Sequence, residues 1–341
     1  MTRPTLSDHL ARWSETNDLR CDIASSVQAL AGAGIRIAEL LAAGPLAGSL
    51  AAVRGYHEDG DSQKELDAIA DALVRAALKG TPVALLGSEE TDHAEVLDPH
   101  GTLAVAVDPL DGSSNIDTNS TVGTIFSILP HTGPEALLQP GSAQLAAGFL
   151  LYGPQTALVL TVGAGTQIFV LDRGTGEFVL AEERALVVPE TAEYAINGSN
   201  ERHWDPAIRC YVDDCRSGAE GPRAKDFNTR WVASMVADVY RILVRGGVYL
   251  YPGDARRGYA QGRLRLIYEA NPVALLMEQA QGLATDGITP ILEIEPTHLH
   301  QRVPLVFGSR GEVERIARYH HDSSAMPERS PLFGRRGLLR A

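Results

Sequence analysis

The sequence has little cysteine. Its three cysteines, Cys21, Cys210 and Cys215, form neither a C-x-x-C pair nor an even disulfide framework. We therefore expect reduced thiols, with a Cys210–Cys215 redox pair as the alternative.

Positive charge is scarce too. The formal net charge is −13, and no Lys/Arg block of the kind that binds nucleic acid is present. A polyanion such as DNA is therefore excluded as a partner. Arginines nevertheless recur in the second half of the chain and predict one basic pocket for a small phosphorylated molecule. They are Arg230, Arg241, Arg245, Arg256, Arg257, Arg263 and Arg265.

Long apolar runs are absent as well. No window approaches the ~18 uninterrupted apolar residues that span a bilayer. The start of the chain, Met1 to Leu19, is polar and mixed in charge rather than signal-like. We therefore expect no membrane partner and a cytoplasmic location.

The 341 residues, 44% apolar and 21% charged, are enough for two domains or one large α/β unit. Helical spacing predicts helices over 18–41, 66–77, 206–215, 231–244, 271–281 and 312–320. Short apolar runs predict strands over 82–86, 103–107, 124–129, 145–151, 157–162, 167–171, 177–180, 194–197, 248–251, 264–268 and 303–307. A soft boundary near Pro189 divides the chain into domains 1–189 and 190–341.

Three local features of the N-terminal half carry further expectations. Gly32 and Gly34 leave open a break in the first helix. The Gly/Ala-rich stretch Ala43–Gly60 is expected to be a mobile loop, and Ser62–Glu65 has the form of a capping box.

The most informative segment, Asp108–Asn115, follows the predicted strand 103–107 and reads Asp-Pro-Leu-Asp-Gly-Ser-Ser-Asn. Backbone N–H groups of its Gly112-Ser113-Ser114 turn attract an anion. The carboxylates of Asp108 and Asp111 would repel a phosphate unless cations lay between them. Mg²⁺ resolves this conflict, because it takes hard oxygen ligands from carboxylates and substrate phosphates together.

The Leu110 carbonyl is a further candidate ligand in this segment. The alternative interpretation is an Asx-rich turn whose carboxylates only cap a following helix.

A second acidic group, Gly87–Glu90, ends the predicted strand 82–86. Acidic side chains thus recur at strand ends, where ligands collect in open α/β sheets.

Several separated segments together resemble class I fructose-1,6-bisphosphatases, in the order found in that family. They are Gly60–Asp67, Ser88–Glu90, Asp108–Asn115, Val122–Phe126, Ser234–Asp238 and Tyr268–Pro272. The resemblance covers nearly the whole chain and implies an αβαβα-layered sugar-phosphatase fold of the α/β class. It also implies a homotetramer that uses Mg²⁺, or Mn²⁺, to hydrolyse the 1-phosphate of fructose 1,6-bisphosphate in gluconeogenesis or the Calvin cycle.

The resemblance also implies roles for individual residues. The implied metal ligands are Glu89, Asp108, Leu110, Asp111 and Glu269. The implied residues around the attacking water and the transferred phosphate are Asp61, Asp67, Glu90 and Arg265. Those implied for the sugar and the second phosphate are Asn197, Arg230, Met235, Tyr251 and Arg263, together with Asp111, Gly112, Ser113 and Ser114. Arg230 is expected to come from a neighbouring subunit, although on pattern alone it is a surface cation and Met235 and Tyr251 are core residues.

Departures from the family pattern limit what the resemblance implies. Trp231 stands where animal members have a tyrosine, which removes a hydroxyl donor. Arg263 replaces a lysine and keeps the charge, and Asn200 replaces a tyrosine. The family's AMP site uses a Lys-Tyr pair where this chain has Thr102-Leu103, and Arg20 compensates only in part. Weak or absent AMP inhibition is therefore expected.

Four alternatives remain, of which a non-catalytic regulatory or scaffold homologue is disfavoured because none of the predicted carboxylates is missing. Sedoheptulose 1,7-bisphosphate is one carbon unit longer, a modest change for a polar sugar pocket, so a bifunctional or dedicated enzyme for it is an alternative. An inositol-monophosphatase-like enzyme is disfavoured, because this chain has Glu269-Ala-Asn-Pro where that group has a Trp-Asp segment. A nucleotide-binding dehydrogenase is disfavoured because Gly163–Gly165 does not complete G-x-G-x-x-G and looks like a hairpin turn.

Overall fold

A computed structural model of the chain describes residues 3–48, 52–56 and 62–321. The α-helices within these ranges are α1 (Leu6–Ser14), α2 (Asp18–Ala43), α3 (Glu65–Leu78), α4 (Pro206–Arg216), α5 (Met235–Arg245), α6 (Asn271–Gln279) and α7 (Arg310–His321). The strands of the first half are β1 (Val53–Tyr56), β2 (Ser62–Lys64), β3 (Val83–Ser88), β4 (Glu95–Val96), β5 (Leu103–Asp111), β6 (Val122–Pro130), β7 (Ala146–Tyr152), β8 (Thr156–Thr161), β9 (Thr166–Asp172) and β10 (Glu177–Ala185). Those of the second half are β11 (Glu193–Ile196), β12 (Asn228–Thr229), β13 (Val248–Tyr251), β14 (Leu264–Arg265), β15 (Leu283–Thr285), β16 (Arg302–Val303) and β17 (Leu305–Gly308).

An eight-stranded sheet takes its strands from the first half of the chain, in the order β10-β9-β8-β7-β6-β5-β3-β4. Its neighbours are antiparallel except β3 and β5, which run parallel. Parallel pairing brings the carboxyl ends of β3 and β5 to the same edge of the sheet. The acidic residues that follow β3 are thereby placed next to those at the end of β5.

The first helical layer covers one face of this sheet. Apolar side chains of α1, α2 and α3 pack there in a single cluster with alternate residues of β5 to β9, such as Val105, Leu150 and Phe169. Each fully buried side chain of this kind stabilises the fold by about 1.5–3 kcal/mol. This layer supports the site from behind because α3 also carries Asp67.

The second helical layer lies between the two large sheets. Helices α5 and α6 share an apolar cluster with the opposite face of the eight-stranded sheet and with Tyr249 and Phe307 of a five-stranded sheet. That second sheet has the order β12-β11-β13-β17-β15. Its far face is covered by α4 and α7, where Tyr211 and Ile316 are buried. The layers therefore follow the order αβαβα, which confirms the predicted fold.

The structure confirms most predicted elements and corrects several others. Helix α2 is not broken at Gly32 or Gly34, and α1 was not predicted. The predicted capping box over Ser62–Glu65 is wrong: residues 62–64 form β2, and the backbone N–H of Lys64 donates to Asp67 Oδ2 at 2.7 Å. The predicted loop Ala43–Gly60 includes the short strand β1, and part of it lies outside the described residues.

Two boundaries near the site also differ from prediction. Helix α5 begins at Met235 rather than Trp231, because Ala233 has a positive φ of 61° and Ser234 is extended. The predicted strand 264–268 ends at Arg265, and residues Leu266–Ala270 form one turn of π-helix. Leu266–Tyr268 are buried on all sides, and periodicity cannot separate a buried helix turn from a buried strand. The strand predicted over 303–307 is divided at Pro304, which has no N–H to donate.

Helix α2 with the turn that follows it, Asp18–Leu46, is the one segment of the described residues that is long and apolar enough to cross a membrane. Core helices of globular proteins pass the same test. Its apolar side chains, such as Val27, Leu30 and Ile37, are buried in the cluster that covers the eight-stranded sheet. One face of α2 is thus packed in the core, although only 33% of the apolar stretch is buried.

The three cysteines are free thiols in the structure. Cys21 is exposed, whereas Cys210 and Cys215 are buried on α4. Burial raises the pKa of the Cys215 thiol to about 12. A thiol with so high a pKa is a poor nucleophile at neutral pH.

Candidate active site: a buried carboxylate cluster and an arginine cleft

Three carboxylates converge at the end of β5. Asp108 and Asp111 are the last acidic residues of this fully buried strand, and Glu269 reaches them from the π-helical turn before α6. One oxygen from each carboxylate lies within 4.8 Å of the other two. We call these three residues the acidic cluster. Their side chains supply the hard oxygen donors that divalent cations take from proteins.

Backbone N–H groups hold each member of the acidic cluster in place. Asp108 Oδ1 accepts from the N–H of Leu110 at 3.0 Å. Asp111 Oδ2 accepts from the N–H of Val236 at 3.1 Å, in the first turn of α5, where the positive end of the helix dipole favours a carboxylate. Glu269 Oε2 accepts from the N–H of Arg265. These bonds fix the direction in which the remaining oxygens point.

The acidic cluster is electrostatically strained as it stands. Burial raises the pKa of Asp108 and of Glu269 well above the usual range, and the Glu89 carboxylate raises both further. Burial also raises the pKa of Asp111 to about 6, although the N–H of Val236 opposes the shift. Three buried carboxylates cannot all stay ionised at low cost without a positive charge among them. The donor set therefore fits a bound cation.

A second acidic group faces the cluster from the end of β3. Glu89 and Glu90 form the turn that follows Ser88, and we call them the acidic turn. Glu89 Oε1 lies 3.4 Å from Arg265 Nε. Asp67, on α3, is 2% exposed; burial raises its pKa to about 7, and the Glu90 carboxylate adds to the rise. The structure thus brings Asp67, Glu89, Glu90 and Arg265 together beside the acidic cluster, and the roles implied for them stay predictions.

The turn after Asp111 begins with Gly112 at φ 78°, a left-handed conformation that glycine adopts without strain. Residues Ser113–Thr118 then form a 3-10 helix rather than an α-helix. The Ser113 side chain is close enough to Asp67 to lower its pKa, whereas Ser114 is exposed. Asn115 Nδ2 donates to the carbonyl of Ala233 at 2.8 Å and ties this turn to the segment before α5.

A separate cleft lies at the ends of β11 and β13. Its enclosed part has a volume of about 10 Å³, room for about one water molecule, and the rest is open to solvent. We call it the Arg263 cleft. Its lining residues are Ile196, Asn197, Asn200, Trp204, Leu250, Tyr251, Pro252, Asp254 and Arg263. The structure therefore brings together Asn197, Tyr251 and Arg263, the three residues predicted to contact a second phosphate.

Polar and aromatic contacts shape the walls of the Arg263 cleft. Asp254 forms a bidentate ion pair with Arg256, whose Nη2 also donates to Asn200 Oδ1 at 3.1 Å. The guanidinium carbons of Arg256 and Arg263 lie 4.7 and 4.8 Å from the Tyr259 ring centroid. Arg256 is neutralised by Asp254, so Arg263 is the lining cation.

Two predicted residues, Met235 and Arg230, do not line the cleft, and a third is not among the described residues. Met235 is buried in the apolar cluster between the sheets and does not line the cleft. Arg230 has a half-exposed side chain that pairs with Glu193 of its own chain, with Nε 3.3 Å from Oε1. Asp61 lies outside the described residues. The roles implied for these residues stay predictions, as does the Leu110 carbonyl ligand.

Sequence reasoning missed Glu193. Arg230, Arg241 and Arg245 all pair with this one strand residue, and none of the three lines the Arg263 cleft. Arg241 also pairs with Asp238. A lone glutamate at the start of a short strand belongs to no motif, and nothing local in the sequence identifies it. The basic pocket predicted from clustered arginines is therefore built by fewer of them than expected.

The five-layer fold and the clustered acids at its sheet edge define a sugar phosphatase, that is, a phosphoric monoester hydrolase. Comparison with known proteins gives the family. The sequence model of the fructose-1,6-bisphosphatase N-terminal domain family matches residues 18–183, and the model of the C-terminal domain family matches residues 187–321. The chain belongs to the class 1 fructose-1,6-bisphosphatase family.

Individual relatives of this family align with the chain over their whole length. The chain is 58% identical to the class 1 fructose-1,6-bisphosphatase of Azorhizobium caulinodans over 94% of this chain and 100% of the relative. It is 54% identical to that of Rhizobium meliloti over 100% of both. The crystal structure of Leishmania major fructose-1,6-bisphosphatase in its holo form superposes with a TM-score of 0.87 at 32% identity, covering 94% of this chain and 100% of that one.

Proposed function

We propose that this enzyme hydrolyses the 1-phosphate of fructose 1,6-bisphosphate to fructose 6-phosphate and inorganic phosphate, with Mg²⁺ as the preferred divalent cation and Mn²⁺ as a substitute. The acidic cluster is the observation that carries the proposal. The names of the relatives, which are fructose-1,6-bisphosphatases of class 1, support the substrate.

The residues that would hold the cations are Asp108, Asp111 and Glu269, with Glu89 and the Leu110 carbonyl completing the set. These residues fit a cation because their donors are carboxylate oxygens. Burial and mutual repulsion raise the pKa values of Asp108, Asp111 and Glu269, and a bound cation would relieve that repulsion. Divalent cations in such a site neutralise phosphate charge and lower the pKa of a bound water.

The protein's own groups then account for proton transfer and orientation. Asp67, whose pKa is raised to about 7, is suited to accept a proton from the attacking water at neutral pH, and Glu90 lies beside it. The buried guanidinium of Arg265 stands next to Glu89, where it can contact the transferred phosphate. Neither residue needs to attack the phosphate itself.

The Arg263 cleft is proposed to bind the phosphate that is not cleaved. Arg263 supplies a planar guanidinium that can form paired hydrogen bonds with phosphate oxygens, and Asn197 and Tyr251 add neutral polar groups. The cleft favours a bisphosphate over a monophosphate, because a monophosphate bound at the acidic cluster would have no second phosphate group for Arg263 to bind. The inositol-monophosphatase alternative is thereby weakened.

A sedoheptulose 1,7-bisphosphatase activity, alongside the fructose ester or in its place, is the second candidate. The open side of the Arg263 cleft favours it, since a longer sugar can extend toward solvent. We also propose a cytoplasmic homotetramer serving gluconeogenesis or the Calvin cycle, and the division into domains near Pro189 remains a prediction.

Phosphate release tests the proposal. With Mg²⁺, we expect release from fructose 1,6-bisphosphate and little from an inositol monophosphate. Addition of a chelator should stop the reaction, and Mn²⁺ should restore it. Full activity in chelator would refute cation assistance, while faster release from the inositol ester would overturn the assigned substrate class.

A further inference from the structure

The acidic turn needs to be held against repulsion. The turn lies against the acidic cluster, because the N–H of Glu89 donates to the carbonyl of Val107, the residue before Asp108. Glu89 Oε1 also lies 3.4 Å from Nε of Arg265, whose backbone N–H donates to Glu269. Like charges at short range repel by amounts that grow as the local dielectric falls. Before a cation binds, the turn carboxylates therefore face like charge from the acidic cluster, which the ion pair of Glu89 with Arg265 offsets in part.

Ser88 fixes the beginning of the turn. Its hydroxyl is buried and donates to Asp71 Oδ1 at 2.6 Å. A carboxylate only accepts, so the hydroxyl proton points to Asp71 and leaves an oxygen lone pair free to accept the N–H of Glu90, at 3.2 Å. The N–H of Glu89 donates to the carbonyl of Val107 on β5 at 3.0 Å. Both backbone N–H groups of the acidic turn thus have fixed acceptors.

Asp71 is itself anchored. Its second oxygen, Oδ2, accepts from Arg75 Nη2 at 2.7 Å one turn further along α3, and Arg75 Nη1 reaches Glu95 of β4 at 2.6 Å. Asp71 lies on the same helix as Asp67, and β4 is paired with β3. The chain of contacts therefore ties the start of the turn to two rigid elements.

His300 fixes the end of the turn from the other side. Its Nε2 lies 3.1 Å from the carbonyl oxygen of Thr91, and because a carbonyl only accepts, Nε2 carries the proton. The imidazole also packs on the Tyr268 ring, with centroids 5.4 Å apart. Tyr268 directly precedes Glu269. One side chain thus contacts both the segment after the acidic turn and the segment that carries a member of the acidic cluster.

We propose that Asp71, acting through Ser88, and His300, acting through Thr91, are positioning residues that hold the acidic turn so that Glu89 and Glu90 face the acidic cluster and complete its cation sites. The inference rests on the proposed function, since it assigns these residues to the assembly of the same site. None of them has to touch the substrate or the cation.

Cation binding by the full-length protein tests this assignment directly, with free Mn²⁺ measured by its electron paramagnetic resonance signal. The variants are Ser88→Ala, Asp71→Ala, His300→Ala and the conservative His300→Gln. Ser26→Ala is the matched control, because the Ser26 hydroxyl is equally buried and donates to the Asp22 carbonyl on α2. Unfolding temperatures without cation are recorded for every variant.

We expect Ser88→Ala, Asp71→Ala and His300→Ala each to raise the Mn²⁺ dissociation constant about tenfold, as loss of outer-shell partners does at other metal sites. His300→Gln, which keeps an N–H donor, should recover most of the affinity. Ser88→Ala and Asp71→Ala break the same link, so their double variant should lose little more than either alone. Ser26→Ala should lower the unfolding temperature and leave Mn²⁺ affinity unchanged.

Two results would overturn the proposal, and they can be told apart. Normal Mn²⁺ binding by the wild type together with unshifted affinity in the alanine variants would remove the positioning roles alone. Absence of Mn²⁺ binding by the wild type would remove the cation site, and the positioning roles with it.

Discussion

The acidic cluster and the Arg263 cleft are held by different parts of the fold. Asp108, Asp111 and Glu269 are buried, and each accepts a hydrogen bond from a backbone N–H at a strand end or a helical turn. The cleft residues proposed to contact phosphate, Asn197, Tyr251 and Arg263, are partly exposed, and Arg263 packs against another side chain, Tyr259. Rigid elements position functional groups more closely than loops do. The cluster is therefore suited to chemistry and the cleft to recognition.

The largest effect is expected in the acidic cluster. Asp108→Asn keeps the shape of the side chain but removes one anionic donor, so turnover should fall by at least about a thousandfold, or roughly 4 kcal/mol of transition-state stabilisation. The same change relieves repulsion, so the metal-free protein should unfold at a higher temperature than wild type. Steady-state phosphate release and thermal unfolding measure the two quantities.

The exposed carboxylate of Glu135 supplies the control for that variant, because Glu135→Gln removes a charge that takes part in none of the cluster contacts described above. It should change neither quantity. Wild-type turnover by Asp108→Asn would show that Asp108 does not take part in the reaction. The assignment of the chemistry to the acidic cluster, and of substrate recognition to the cleft, would then lose its support.

A smaller effect is expected in the Arg263 cleft. Arg263→Ala removes a charge-assisted contact worth about 1.5–3 kcal/mol, so KM for fructose 1,6-bisphosphate should rise about ten- to a hundredfold while kcat changes little. Arg263→Lys keeps the charge and should recover part of the loss. Arg310→Ala, at a surface ion pair on α7, is the matched control. A fall in kcat with KM unchanged would mean that the cleft takes part in the chemistry.

The sequence predicted these two regions unequally, for physical reasons. Asp108–Asn115 was found from its own residues, because strand, Pro, acids and Gly-Ser turn lie within one short segment. Glu269 lies 158 positions beyond Asp111 in the sequence and joins the cluster only through tertiary packing. Its place in the site was implied by the family resemblance and by no local pattern. The π-helical turn that presents it was mistaken for a strand.

Contacts made through single side chains were not predictable at all. Asp71 and His300 belong to no motif, and their partners Ser88 and Thr91 lie 17 and 209 positions away in sequence. Fold class was predictable because it is set by periodic burial along whole elements. Site completion was not, because it is set by a few bonds between elements whose relative placement the sequence pattern does not encode.

The pH dependence of stability should also distinguish the regions. Asp67 and Asp111 have pKa values raised to about 7 and about 6, so below pH 7 the folded state binds more protons than the unfolded chain, whose Asp residues titrate near 3.9. The metal-free protein should therefore lose stability as pH rises from about 4 to about 7, by at least a few degrees in Tm, and the raised pKa values of Asp108 and Glu269 act in the same direction.

Added Mg²⁺ should reverse this trend, because cation binding displaces those protons and stabilises the folded state most at high pH. Calorimetric scans between pH 5 and pH 8, with and without Mg²⁺, measure both parts. Asp67→Asn should flatten the metal-free profile, whereas Arg263→Ala should leave it unchanged. A metal-free protein that becomes more stable between pH 5 and pH 7 would contradict the raised pKa values of Asp67 and Asp111.

The smallest difference is expected between two substrates. Fructose 1,6-bisphosphate and sedoheptulose 1,7-bisphosphate present the same cleavable end to the acidic cluster and differ only in how far the second phosphate lies from it. The Arg263 cleft is open on one side, and one extra carbon unit is worth only about 1–3 kcal/mol in a pocket, so kcat/KM for the two esters should agree within about ten- to a hundredfold. The difference should appear mainly in KM, and Arg263→Ala should reduce it, because the cleft and not the cluster senses chain length. A large difference in kcat instead would show that the position of the second phosphate is transmitted to the acidic cluster.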